Sequence, residues 1–330
     1  MSESLTKSVS KPINSQIREI TDSDLIALGE LLDQSFIPKG GSHYFDDFPV
    51  WKLRCSSEMK RLGVFDSSGV LLASASCRLA QVRVVGIPER TPIAIIGAVA
   101  TSEAARGHGF ASQLVEALAK WADSRGAWMA VLWASQYEMY HRIGFDLFGE
   151  QSRVLVGDLP FVENSLTVPI HHGWNPNLMR HFLIRTEGVV HSASDSEWIS
   201  KHKNVQWIWS GDPERPSAFL AYNRGIDLPE MIHEWGGQRD AIKPLISTVA
   251  KAQPNLQILL HPCHKWILEL TPYQLHTEHL GMVKVFSRMK TNPLFAQFSR
   301  LSDSEWISTV LGSPENSAFL PIWFWGLDCA

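Results

Sequence analysis

The sequence predicts a mixed α/β protein, with helices packed on mixed β-sheets and two tandem units of similar plan. Three observations lead there. An apolar strand-like run, Ile96-Gly97-Ala98-Val99-Ala100-Thr101, passes through a short loop, Arg106-Gly107-His108-Gly109-Phe110-Ala111, into a strongly periodic helix and then a second apolar strand. The same strand–loop–helix–strand order returns between residues 217 and 260. The length of 330 residues also exceeds the roughly 150 expected of one domain.

Residues Met1 to Ser15 are Ser/Lys-rich without an apolar centre, so residues 1–14 read as a mobile tail with no secretory signal. Gln16–Ile20 suits a first strand. Thr21 or Ser23 can cap the helix that presents Leu25, Leu28, Leu31 and Leu32. The loop Gly40-Gly41-Ser42-His43-Tyr44-Phe45-Asp46-Asp47-Phe48 joins aromatics to two carboxylates. Asp47 precedes Pro49 and a helix-like stretch from Trp51 to Met59, which it could cap. Residues 62–66 and 70–84 read as strands. After the glycine loop, Ala111, Leu114, Val115, Leu118 and Ala122 form one apolar helical face, Gly126 ends the helix, and Ala127–Trp133 is a buried strand.

The loop carries chemistry. A tight turn followed by the exposed N–H groups of a helix start cradles a pyrophosphate, glycines let the backbone approach it closely, and Arg106 adds a fixed positive charge. The spacing is neither Gly-x-x-x-x-Gly-Lys-Ser/Thr nor the dinucleotide Gly-x-Gly-x-x-Gly. The plain alternative is a glycine-tolerant turn before an ordinary helix. Against it stands Ser135-Gln136-Tyr137-Glu138-Met139-Tyr140-His141-Arg142-Ile143-Gly144-Phe145, which continues from the second strand.

With both motifs in view, residues 92–150 resemble the Gcn5-related N-acetyltransferases, the GNAT superfamily. Arg106 to Ala111 matches its Gln/Arg-x-x-Gly-x-Gly/Ala signature, and Tyr140 to Phe145 matches its Tyr-x-x-x-Gly-Phe hallmark. The resemblance implies a GNAT acyltransferase fold and an N-acetyltransferase that moves an acetyl group from acetyl-CoA to a primary amine of a small molecule or peptide. It implies that the backbone of Val99, Ala100 and Thr101 runs beside the pantetheine arm. The pyrophosphate would meet Arg106, Gly107, His108, Gly109, Phe110 and Ala111. A backbone N–H near Val99 would meet the developing oxyanion. Tyr140 matches the motif tyrosine and is expected to protonate the leaving thiolate, since a phenol keeps its proton at neutral pH. Tyr137, one turn away, could line the acceptor pocket with Tyr44, while Asp46 and Asp47 could attract a cationic amine. No general base is identifiable.

The catalytic unit is expected over 15–157 and a second over 158–330. In the second, Ser217–Tyr222, Met231–Trp235 and Leu256–Leu260 read as strands, and Ile242, Leu245, Ile246 and Val249 mark a helix. Its loop, Gly236-Gly237-Gln238-Arg239-Asp240-Ala241, lacks the signature; Asp240 opposes a phosphate and Pro244 removes an N–H near the helix start. This is a degenerate GNAT-like unit that no longer binds acetyl-CoA. The tandem plan resembles the two-domain acetyltransferases, including the Eis type, whose terminal carboxylate reaches the active site. Here Trp325 to Ala330 could do the same, or form a strand with an ordinary exposed end. Ser194-Asp195-Ser196-Glu197-Trp198-Ile199-Ser200 recurs at 302–308, and Ser194/Glu197 and Ser302/Glu305 read as capping boxes. Many of the 13 tryptophans, among them Trp207, Trp209, Trp323 and Trp325, fall in this half and suit a core or interface.

A formal net charge of −4 without a basic tract argues against nucleic acid as the main partner, and no apolar run of membrane-spanning length is present. Cys55, Cys77, Cys263 and Cys329 are sparse and scattered, which suits free thiols in a cytoplasmic protein. His261-Pro262-Cys263-His264 lacks a second ligand cluster at zinc spacing, so no metal is expected. Oligomeric state is left open. The alternative function is a non-catalytic acyl-CoA sensor acting through its second unit, which would need the loop but not Tyr140.

Overall fold

The computed structural model describes residues 13–39, 41–84, 87–159, 169–267 and 276–328. The expected N-terminal tail lies almost wholly outside the described residues. The first half runs β1 (Ser15–Glu19), α1 (Leu25–Phe36), α2 (Tyr44–Asp47), β2 (Met59–Asp66), β3 (Leu71–Val84) and β4 (Ile87–Thr101). It continues through α3 (Phe110–Ser124), β5 (Met129–Leu132), α4 (Tyr137–His141), β6 (Asp146–Phe148) and β7 (Gln151–Leu155). The second half holds β8 (His171–His172), α5 (Met179–Leu183), β9 (Gly188–Val189), α6 (Ser196–Ile199), β10 (Gln206–Asp212), β11 (Arg215–Arg224) and β12 (Leu228–Gly237). After these come α7 (Arg239–Ala252), β13 (Gln257–Leu260), β14 (His276–Glu278), β15 (Gly281–Val285), α8 (Ser287–Lys290) and α9 (Asp303–Leu311).

Local chemistry explains most boundaries. Thr21 and Asp24 cap each other reciprocally in the turn that opens α1, and α1 buries Leu28, Leu31 and Leu32. α3 buries Leu114, Val115, Leu118 and Ala122, and Gly126, at φ +97°, closes it. Two local expectations fail. Residues 51–59 are not a helix: a 3-10 turn over Pro49–Lys52 gives way to an open segment, where buried Arg61 takes the Leu53 carbonyl and Ser56 bridges Met59. Asp47 therefore caps nothing there and instead ends α2. The first capping box is Ser192 with Asp195, not Ser194 with Glu197, because Asp195 also accepts from the Trp198 indole at 3.2 Å. Ser302 with Glu305 caps α9 as read.

The two sheets have the same plan. The first is ordered β1-β2-β3-β4-β5-β15-β6, with β9 beside β3, and the second β14-β7-β13-β12-β11-β10-β8. In each, one pair is parallel, β4 with β5 across α3 and β12 with β13 across α7. The other pairs are antiparallel. The units exchange a strand. β15, from the second half, lies between β5 and β6, while β7, from the first half, lies between β13 and β14. Strand interiors cannot leave their polar groups unpaired, and each exchanged strand fills that need in the other sheet. A cut at residue 157 therefore divides neither sheet cleanly, and one continuous core holds Val82 and Ile93 together with Ile208 and Leu220.

The C-terminal segment is not the strand with an ordinary exposed end that the sequence allowed. Residues 320–328 form no strand, and Ile322, Trp323, Phe324, Trp325, Leu327 and Asp328 are buried. The Gly326 N–H donates to the His233 carbonyl on β12 at 2.9 Å, and the Leu327 N–H to the Glu234 carboxylate at 3.0 Å. Trp325 packs edge-on against Trp235, and Trp323 packs edge-on against His264 and tilted against His261. The segment thus occupies the space where β12 and β13 diverge. Cys329 and Ala330, and with them the terminal carboxylate, lie outside the described residues.

Candidate active site

The corresponding divergence in the first sheet is open. β4 and β5 pair at Ile93–Met129, Ala94–Ala130 and Ile95–Val131 and then part. On the other edge of β4 the register slips: Ser74 faces Ala100 and Ser76 faces Gly97, so Ala98 and Val99 stand opposite Ala75 alone. This β-bulge takes backbone groups out of the ladder and kinks the strand. Ala98 sits at φ +51°, a conformation costing a non-glycine residue about 1–3 kcal/mol. The Ser74 hydroxyl holds the bulge by donating to the Ala98 carbonyl at 3.1 Å.

The loop before α3 provides the second feature. Gly107 and Gly109 have φ +81° and +75°, which L side chains rarely adopt. α3 begins with no side-chain cap and no acidic residue in its first turn, so its orphan N–H groups are left for an anion.

Bulge, loop and helix start line one cavity of about 820 Å³. Ile96 to Thr101 form one wall and Leu132 to Gln136 the other; Arg106, Gly107, Gly109, Phe110 and Ala111 line it beside the loop. Tyr140, on α4, joins the lining and is 7% exposed, with its ring edge-on to Phe145 at 6.2 Å. Burial pushes its pKa up to about 12, so the phenol keeps its proton throughout the neutral range. Tyr44 also lines the cavity. Burial and the negative charge of Asp227 raise its pKa well above the ordinary phenol value, against the opposing effects of Arg224 and a hydrogen bond with the Ala98 backbone. Its hydroxyl therefore meets the bulge itself.

The structure thus brings together Val99, Ala100, Thr101, Arg106, Gly107, Gly109, Phe110, Ala111, Tyr44 and Tyr140. Four other candidates stand apart from this lining. The His108 ring stacks on Phe110, with Nδ1 3.2 and 3.1 Å from the Ala105 and Arg106 carbonyls, so its side chain braces the loop. Tyr137 is half exposed and borders a shallower neighbouring recess. Asp46 pairs with Lys203 at 2.8 Å. Asp47 is buried against the second half: it accepts from Asn204 at 2.5 Å and from the Ile226 N–H at 3.4 Å. Burial raises its pKa, against the Asn204 bond. These carboxylates join the two halves rather than facing the cavity.

Sequence reasoning missed several lining residues. Arg142 lies inside the same motif as Tyr140 and could have been found there. Ser35 and Phe36 end α1. Ile226 and Asp227 come from the tip of the β11–β12 hairpin, for which Asn223-Arg224-Gly225 signalled a turn but nothing signalled its destination.

Residues 16–148 match the family model described as an acetyltransferase (GNAT) domain. A comparison with curated proteins returns no match. Among solved structures, the chain is similar to a probable N-acyltransferase from Enterococcus faecalis V583, with a TM-score of 0.58 and 15% identity, over 82% of this chain and 73% of that one. It is also similar to a GCN5-related N-acetyltransferase from Kribbella flavida, with a TM-score of 0.55 and 19% identity over 82% and 72% of the two chains. Eis1 from Mycobacterium abscessus gives a TM-score of 0.54 and 14% identity over 82% and 73%. At these identities the likeness establishes a shared fold.

Proposed function

We propose, from the match of residues 16–148 to the acetyltransferase (GNAT) domain model, that the chain is an acetyltransferase that transfers an acetyl group from acetyl-CoA to a primary amine by direct attack. The observation that carries this reading is the placement of Tyr140 in the same cavity as the Ala98–Val99 bulge and the uncapped start of α3. A sensor would need the phosphate loop but not a buried, protonated phenol beside it.

The residues present fit an acyl-CoA. The loop around Gly107 is open, since a Cβ there would meet nothing within 4 Å, and the α3 N–H groups with Arg106 suit a pyrophosphate. The Val99–Thr101 backbone, beyond the point where β4 leaves β5, offers an edge for the pantetheine amides. Bound there, acetyl-CoA supplies the activated acyl group. The bulge N–H near Val99 stabilises negative charge developing on the thioester oxygen. The amine nitrogen bonds to the acyl carbon, the carbon–sulfur bond breaks, and Tyr140 gives its proton to the departing sulfur. The proton lost by the amine goes to solvent. Residues 15–157 carry these groups, and the degenerate second unit closes one side of the acceptor end through its hairpin. Nothing in the described helices is long and apolar enough to cross a membrane.

The test is release of CoA thiol from acetyl-CoA in the presence of primary amines, for the wild type and Tyr140→Phe. General-acid loss is expected to lower kcat about 10²- to 10⁴-fold while acetyl-CoA binding persists. Equal turnover in the variant removes Tyr140 as the acid. Binding of acetyl-CoA without turnover on any amine in the wild type favours the sensor.

A further inference from the structure

We infer that Asp227, carried into the first unit's cavity by the second unit's hairpin, selects acceptors with a second ammonium group, of which short linear diamines are the simplest. The inference deepens the acyl-transfer reading and rests on it. Among the described residues, the charged side chains lining the cavity are Arg106, Arg142 and Asp227. The two cations suit a phosphate-bearing donor, and the carboxylate is the group that answers a cation.

Asp227 is held in place. Gly225, at φ +47°, lies so close to Asp47 that a Cβ would stand 1.9 Å from Oδ2, and the next N–H, of Ile226, donates to the same oxygen. Any side chain at 225 would push the hairpin tip off its seat. Arg224, itself 1% exposed, donates from Nε to Oδ1 of Asp227 at 3.2 Å and from Nη2 to Oδ2, while Nη1 binds the Gly326 carbonyl. This fork occupies one acceptor site on each oxygen; a carboxylate has about two on each, and the Asp227 side chain is 37% exposed. Arg224 also acts on Asp47, so two carboxylates share one guanidinium. His202 and His233 add no compensating cation, because burial, with the Arg224 charge, holds His202 down to about 3 and His233 well below its ordinary value.

The lining suits a methylene chain. Tyr44 lines the same cavity as the Ala98–Val99 bulge and Asp227. Phe36, Tyr44 and Phe48 form a continuous aromatic wall, with ring centroids 5.3 and 4.6 Å apart. A methylene spacer can lie along this wall while one amine meets the thioester and the other, as ammonium, meets Asp227. A monoamine leaves Asp227 with Arg224 and water alone and forfeits the second charge-assisted hydrogen bond, so a site that offers this bond discriminates against the substrate lacking it.

The test compares 1,4-diaminobutane, 4-amino-1-butanol and 4-aminobutanoate as acceptors for the full chain, with acetyl-CoA affinity measured separately by calorimetry. In the wild type kcat/KM falls in that order, with the diamine at least about tenfold above the amino alcohol, mainly through KM. Asp227→Asn brings the diamine to within about twofold of the amino alcohol and keeps acetyl-CoA affinity. If Asp227→Asn does not fold, the wild-type order decides alone. Equal use of the three acceptors by the wild type overturns the inference, as does a diamine preference that survives in Asp227→Asn; both leave acyl transfer standing. Absence of acetyl-CoA binding overturns the acyl-transfer reading, and the inference falls with it.

Discussion

The two units share a sheet order and a parallel pair that diverges beside a crossover helix, yet one divergence is a cavity and the other is filled. In the first, the wedge between β4 and β5 is bordered by a bulge, two left-handed glycines and a helix start without a cap or an acid. In the second, α7 begins with Asp240 in its first turn and has Pro244 inside it, and the chain's own residues 323–328 lie between β12 and β13. The fold supplies a wedge, and the sequence decides what enters it. Negative charge at the α7 start opposes a phosphate, and indoles from Trp323 and Trp325 supply the apolar fill.

The filled wedge is secured by buried charge, and breaking that charge should give the largest effect on stability. His191 contacts Asp328 at 2.9 Å and lies 3.4 Å from Asp195. Burial would lower the His191 pKa, but its hydrogen bonds to Asp195 and Asp328 raise it on balance. Burial would raise the Asp328 pKa, but the His191 bond and charge and the Arg185 charge lower it on balance. The raised His191 value means its contribution is complete below its unfolded pKa and is lost as pH rises through the folded pKa. The lowered Asp328 value means its contribution is complete above its unfolded pKa and is lost as pH falls through the folded pKa. His191→Gln should therefore cost about 3–5 kcal/mol near neutrality and remove the alkaline fall in stability. Denaturant titrations across pH check both; an unchanged alkaline limb would assign that fall to other groups.

A smaller effect should follow from Gly326→Ala. A Cβ there would lie 2.4–2.5 Å from the His233 ring, which has no exposed surface, so the tail must shift at a cost of about 1–3 kcal/mol. Thermal unfolding should show the loss. Wild-type stability would mean that the tail is not seated against β12.

Much of the open wedge was legible. Gly107, Gly109 and the apolar face of α3 are local signals, and Tyr140 sits in a short motif whose spacing fixes a helix and a turn. The bulge at Ala98 was not legible, because it reflects register against Ser74 and Ser76 rather than any preference of alanine. Asp46 and Asp47 had the right charge and the right loop, but their partners, Lys203, Asn204 and Ile226, are set by packing between the halves. Asp227 was invisible for the same reason. The strand exchange is not legible in the sequence, because β7 and β15 each look like a closing strand of the unit they follow in sequence. In sequence the tail suits either an end that reaches the active site or a strand with an exposed end, because an apolar run cannot report which cleft it fills.

The most direct measurement is calorimetric titration of acetyl-CoA into the full chain and into Arg106→Glu. The account predicts one acetyl-CoA per chain, with affinity lowered about tenfold or more by the charge reversal beside the α3 start. Two equivalents per chain would mean that the second wedge also accepts the donor. Undiminished binding to Arg106→Glu would mean that the donor does not lie where the Gly107–Gly109 loop places it.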